Sequence, residues 1–185
     1  MEVKGTAVKS IKDYVEKKYN AHLNEWIQSL PETSQNIMQG NIFVNNWYPM
    51  KDAAVEPTKA LAKRFYNNDI PKAARESGKY SAETGLKGVY KIFVRVASPN
   101  YIMQRAGRIF TSYYSPSNIE VVNGHDKGLT LHITKFPEPE EVIEHRIAGW
   151  CERALEFTNC KNVKANITKS LVKGDPLTEI VITWN

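Results

Sequence analysis

The sequence predicts an α+β fold: a helical N-terminal portion packed on a four-stranded antiparallel sheet, with a C-terminal half that runs β-β-α-β-β. Three observations carry this reading. Apolar residues recur at helical spacing as far as Pro116, the period then drops to 2, and one further helical stretch divides the strands into two pairs. A chain of 185 residues, 42% hydrophobic and 24% charged, can bury roughly 70% of its unfolded surface as one domain without disulfides or metal. The expected organisation is a single domain over 1–185, helical over 1–116 and β-β-α-β-β over 117–185.

The helical half reads in order. Ala7, Val8, Ile11, Val15 and Tyr19 recur at helical spacing between lysines. Leu23, Trp26, Ile27 and Leu30 repeat the i, i+3, i+4, i+7 pattern, and Pro31 ends it. Trp47-Tyr48-Pro49 forms an aromatic corner, because Pro49 disfavours a helical Tyr48. Asp52 or Glu56 is expected to cap a helix carrying Leu61 and Phe65, with Pro57 in its first turn or kinking it. Asp69-Ile70-Pro71 starts another. Leu86, Val89, Tyr90, Phe93, Val94 and Ala97 then make an apolar face, opposite a basic one of Lys87, Lys91 and Arg95. Ser98-Pro99 stops that helix and starts the next, whose face holds Ile102, Ala106, Ile109, Phe110 and Tyr113.

Past Pro116, Ile119 to Val122 and Leu129 to Thr134 read as strands around a turn from Asn123 to Gly128. Pro137 to Glu141 opens a helix with acids in its first turn, where they suit the dipole, and the helix runs through Ile143, Ile147, Trp150, Ala154 and Phe157. Val163, Ala165 and Ile167 alternate, Lys173-Gly174-Asp175-Pro176 turns, and Leu177 to Trp184 alternates again.

Charge and composition narrow the function classes. The net charge is +5, yet residues 59–108 hold eleven Lys and Arg against three Asp and Glu. The basic pI of about 9.1 therefore reports one region, and a solvated helix face explains it more simply than a nucleic-acid arm. No apolar stretch approaches the roughly 18 residues of a membrane span. Lysines interleaved with Val3, Val8 and Ile11 do not make a signal peptide. Two cysteines, Cys151 and Cys160, build no disulfide framework, and a reduced cytoplasmic setting is expected.

No motif names a reaction. None of the four histidines, His22, His125, His132 and His145, pairs with another at a metal-ligand spacing. Neither cysteine has a neighbouring base, Ser112, Ser115 and Ser117 lack a nucleophile-elbow context, and Gly85-x-x-Gly88 lacks the setting of a phosphate loop. The aromatics say more. Trp47, Tyr48, Tyr90, Phe93, Phe110, Tyr113, Tyr114 and Trp150, with Met103, fall on inward faces or at junctions between the halves. They read either as ordinary core or as the lining of a mostly apolar ligand site.

Several short motifs together resemble a known superfamily. The opening Lys4-Gly5-Thr6-Ala7-Val8 resembles the start of heme nitric-oxide-binding (H-NOX) domains. Trp47-Tyr48-Pro49, Ser98-Pro99, Arg105, Phe110-x-x-Tyr113-Tyr114, Gly149-Trp150 and Trp184 look like a related, heme-independent and uncharacterised paralogous family first described from myxobacteria. That family is grouped with 4-vinyl reductase domains and TRAPP vesicle-tethering subunits. The resemblance implies a bacterial sensor-like protein, helices over a four-stranded sheet, and a ligand pocket between them. Helical phase together with that resemblance makes Tyr48, Phe93, Met103, Phe110, Tyr113 and Trp150 the expected pocket, while helical spacing alone makes Lys87, Lys91 and Arg95 the basic surface.

The heme-binding branch places its proximal histidine on the helix before the Ser-Pro junction, here near Lys87, but residues 59–108 contain no His. An ammonium does not replace imidazole on iron. The propionate-clamping Tyr-x-Ser-x-Arg motif survives only as Tyr113-x-Ser115-x-Ser117. The late cysteine cluster of vinyl-reductase domains is absent, since residues 161–185 hold no Cys. The expectation is no heme, no metal and no other cofactor. Two functions remain: a ligand-binding or sensory module for a small apolar or amphipathic molecule, or a structural interaction module with a filled pocket and a protein partner or second copy. An enzyme ranks below both, and nucleic-acid binding last.

Overall fold

The computed structural model of the chain describes residues 1–86 and 98–185, and for Asn100, Gln104 and Ala106 the backbone alone. The basic residues Lys87, Lys91 and Arg95, with Phe93, lie outside the described residues.

β1 (Glu2–Lys4) leads directly into α1 (Gly5–Tyr19). The predicted stripe of Ala7, Val8, Ile11 and Val15 is buried. α2 (Leu23–Gln28) buries Trp26 and Ile27, and α3 (Glu32–Gln39) follows Pro31. β2 (Trp47–Pro49) pairs antiparallel with β1, which also pairs with β3 (Tyr114–Ser115). This three-stranded sheet, in the order β2-β1-β3, has strands too short for a period to be visible in sequence. On β2 the pleat turns Tyr48 inward and Trp47 outward. Trp47 is therefore exposed rather than inward-facing, with the Lys4 ammonium over its ring.

α4 (Glu56–Phe65) corrects an expectation. Neither Asp52 nor Glu56 caps it, because the chain is already helical over Lys51–Val55, in a wide π-type turn. Pro57 lacks the amide an α-turn would use there, and the wider turn accommodates it. Asp52 instead accepts from Thr33 Oγ1 at 3.0 Å. α5 (Ile70–Gly85) starts as expected, its Asp69 carboxylate accepting from Lys72 N at 2.9 Å. α6 (Pro99–Tyr113) is capped by Ser98, whose hydroxyl accepts from Tyr101 N.

The large sheet is antiparallel in the order β4-β5-β7-β6: β4 (Asn118–His125), β5 (Gly128–Lys135), β6 (Lys164–Lys169) and β7 (Thr178–Thr183). The α+β architecture is thus the one predicted. The first turn is tighter than expected, only Asp126-Lys127, with a bulge between Val122 and His125 taking up the extra residue. Alternation buries Leu129, Leu131 and Ile133 on β5 and Thr178, Ile180 and Ile182 on β7.

α7 (Glu141–Glu156) joins the halves. It packs on β6 and β7 and lies along α5, and it is buried on most of its circumference. The crossing is backbone to backbone. A Cβ on Gly78 would lie 2.1 Å from the Arg146 carbonyl oxygen, and one on Gly149 2.2 Å from that of Arg75. Arg75–Glu152 and Arg153–Glu83, each 2.7 Å, tie the same two helices at their margins. One cluster of buried side chains runs from Val3 and Ile11 through Trp150 to Ile180 and Ile182.

Candidate functional site

The site builds up from α6 and α7. The phase of α6 buries Ile102, Met103 and Phe110 and leaves Tyr113 half-buried. The Phe110 ring meets Trp150 of α7 edge-on, with centroids 5.0 Å apart and planes at 74°. That contact exists because Gly149 lets α7 sit tight against α5, which fixes Trp150 beneath α6. Phe110, Tyr113 and Trp150 line one small cavity with Ser81, Tyr114 and Arg146. Its free volume is about 10 Å³, around the minimum that a water molecule needs.

Arg146 is the residue whose role the sequence pattern understated. It occupies the i+3 place of the apolar stripe Ile143, Ile147, Trp150, a phase that points inward. Only 3% of it is exposed. Its guanidinium donates to Ser77 Oγ at 2.5 Å, Ser10 Oγ at 3.2 Å and the Ala7 carbonyl at 3.3 Å. Among the described residues no carboxylate reaches it. Burial is stabilised by neutral acceptors, a costly arrangement for a cation. Tyr113 sits close enough to feel that charge: burial raises its phenol pKa, Tyr114 adds to the rise, and Arg146 opposes it.

Beyond Tyr113 and Trp150 the surface opens into a groove of about 510 Å³, bordered by Gly85, Leu86, Arg105, Arg108, Ile109 and Ser112. Of the expected pocket residues, Phe110, Tyr113 and Trp150 are thus together. Met103 is fully buried nearby but lines neither space. Tyr48 lies on β2, where its phenol oxygen accepts from the Phe43 amide at 2.8 Å and its ring packs against Gly5. It too lines neither space.

None of the four histidines lines either space. His22 pairs with Glu25 on the surface, His125 ends β4, and His132 bonds Glu179 across the sheet at 2.9 Å. His145 lies on α7, 3.9 Å from Glu141. Burial, then the charges of Arg75 and Lys173, push its pKa down to about 4 against the opposing Asp69, so the ring is neutral at pH 7. Glu141 does not hold it charged. Cys151 is buried with its thiol pKa pushed far up, by burial first, which keeps it protonated and non-nucleophilic. No group of three or more His, Cys, Asp or Glu with metal-holding geometry occurs among the described residues. No described helix is long and apolar enough to cross a membrane.

A second buried ionic group also escaped the sequence pattern. Glu144, in the first turn of α7, is 6% exposed and accepts from Ser170 Oγ at 2.7 Å and from Thr178 Oγ1. It ties α7 to the turn between β6 and β7. The role is architectural.

Comparison with known proteins places this geometry. No protein family and no curated protein matches the sequence. Solved structures do match the fold. An H-NOX protein from S. oneidensis in its Fe(II)NO ligation state superposes with a TM-score of 0.75 at 12% identity, covering 98% of this chain and 99% of that one. The Fe(II) unliganded H-NOX protein from K. algicida gives 0.68 at 14% identity, covering 98% and 96%. A point mutant of the T. tengcongensis H-NOX protein gives 0.66 at 11% identity, covering 98% and 97%. The chain has an H-NOX-like fold over nearly its whole length.

Proposed function

We propose that this H-NOX-like chain is a heme-independent, non-catalytic ligand-binding or sensory module, of the kind represented by the uncharacterised paralogous family its motifs resemble. One observation carries the reading. The fold is kept across 98% of the chain, yet residues 59–108 contain no His, and aromatic rings and a buried arginine line the cavity between α6 and α7. One fold can host a different site chemistry when the residues lining the site differ.

The test has two parts. Incubation with hemin should give no stoichiometric Soret band, and a sharp band abolished by replacing one histidine would overturn heme independence. Native mass spectrometry of the protein purified from its own cells should reveal a retained small molecule as added mass. A bare chain mass under gentle ionisation would favour the second reading, an interaction module with a filled pocket. That alternative is supported by the small inner cavity, about 10 Å³, which Phe110 and Trp150 close.

A further inference from the structure

The groove outside Tyr113 and Trp150 combines two chemistries. Its volume, about 510 Å³, falls within the roughly 300–1,000 Å³ of small-molecule sites. Leu86, Ile109 and the rings of Tyr113 and Trp150 give it apolar walls, while Arg105 and Arg108, both exposed, stand one helical turn apart on α6. Among the described residues neither arginine lies within ion-pair distance of a carboxylate; the Arg105 guanidinium rests over the Tyr101 ring, 4.5 Å from its centroid. Residues 87–97 contain no Asp or Glu, so they supply no carboxylate either. Beneath the groove, Arg146 is likewise held by neutral acceptors. Uncompensated guanidinium groups beside an apolar floor create a positive potential that an anion relieves, and guanidinium is the side chain best shaped for an oxyanion.

We propose that this groove binds an organic anion with an apolar body, its anionic group held by Arg105 and Arg108 and its body lying on Leu86, Ile109 and Trp150. The proposal rests on the ligand-module reading and names the chemistry of the ligand. A concave site of this volume takes one molecule. An extended nucleic acid instead needs a long basic track, and the described part of the groove offers two arginines.

A matched pair of probes tests it on the full chain: 8-anilinonaphthalene-1-sulfonate, and N-phenyl-1-naphthylamine, which has the same aromatic body without the sulfonate. Fluorescence titration should show one saturable site preferring the sulfonate by at least about tenfold. Arg105→Gln with Arg108→Gln should abolish that preference and leave the neutral probe unchanged, with far-UV circular dichroism confirming the fold. Lys161→Gln with Lys164→Gln, on another face, should change neither. Equal affinity for the two probes, or an undiminished preference in the double arginine variant, overturns the proposal while leaving a ligand module standing. Failure of both probes, with no retained mass in native spectrometry, removes the ligand module as well. Displacement of the sulfonate by phosphatidylglycerol vesicles, but not phosphatidylcholine vesicles, overturns it in favour of a membrane surface.

Discussion

His145 shows how a residue's behaviour departs from its sequence neighbourhood. Glu141, four residues earlier, would raise its pKa, but the 3.9 Å separation is long, and burial with Arg75 and Lys173 holds the pKa at about 4. Its Nδ1 is buried without a hydrogen-bond partner among the described residues. The folded value lies below the ordinary 6.5, so the unfolded chain takes up the proton first as pH falls. The contribution to stability is complete above about pH 6.5, is lost between about 6.5 and 4, and is level below that. The loss should be on the order of 1–2 kcal/mol, less than the full shift implies because the ring is partly solvated. Urea denaturation at pH 7.5, 6 and 5 should show it, and His145→Gln should flatten the profile in that window. Phe110 is a plainer case. With its ring buried against Trp150, Phe110→Ala should cost ~3–5 kcal/mol in the same assay.

At the scale of elements the decisive feature is the contact between α5 and α7. Gly78 and Gly149 face opposite backbones so closely that an added methyl group would overlap a carbonyl oxygen on the other helix. Gly78→Ala or Gly149→Ala should each destabilise by ~3 kcal/mol or more, well beyond the propensity gain of alanine over glycine in a helix. A small or absent change in the denaturation midpoint would show that the helices separate easily. Because Trp150 and Arg146 flank Gly149, the same substitutions should also displace the cavity wall, and near-ultraviolet circular dichroism reports that displacement.

For the whole molecule, the continuous core bears on domain organisation. The large sheet rests one face on α7, and α7 in turn rests on α5. We expect one folding unit over 1–185. A fragment of residues 117–185 should therefore fail to unfold cooperatively, since it would expose the side of α7 that carries Gly149 and Trp150. Cooperative unfolding of that fragment with near-native stability would divide the chain into two domains.

Much of the architecture was legible because periodicity is a local property. The stripe on α1, the Ser98-Pro99 start of α6 and the alternation on β5 and β7 each need only neighbours in the chain. The absence of histidine from 59–108 is likewise a fact of sequence. The β2-β1-β3 sheet was not legible, because it pairs residues near 2, 48 and 114 through strands of two or three residues. Nor was the uncompensated burial of Arg146, whose acceptors come from α1 and α5. The sequence alone determined most of the described helices, the strands of the large sheet and the absence of histidine from 59–108, through local spacing and composition. Only the tertiary structure decided which charges are buried, how small the inner cavity is, and that two arginines border an apolar groove with no carboxylate in ion-pair distance among the described residues, because each depends on chain segments far apart in sequence.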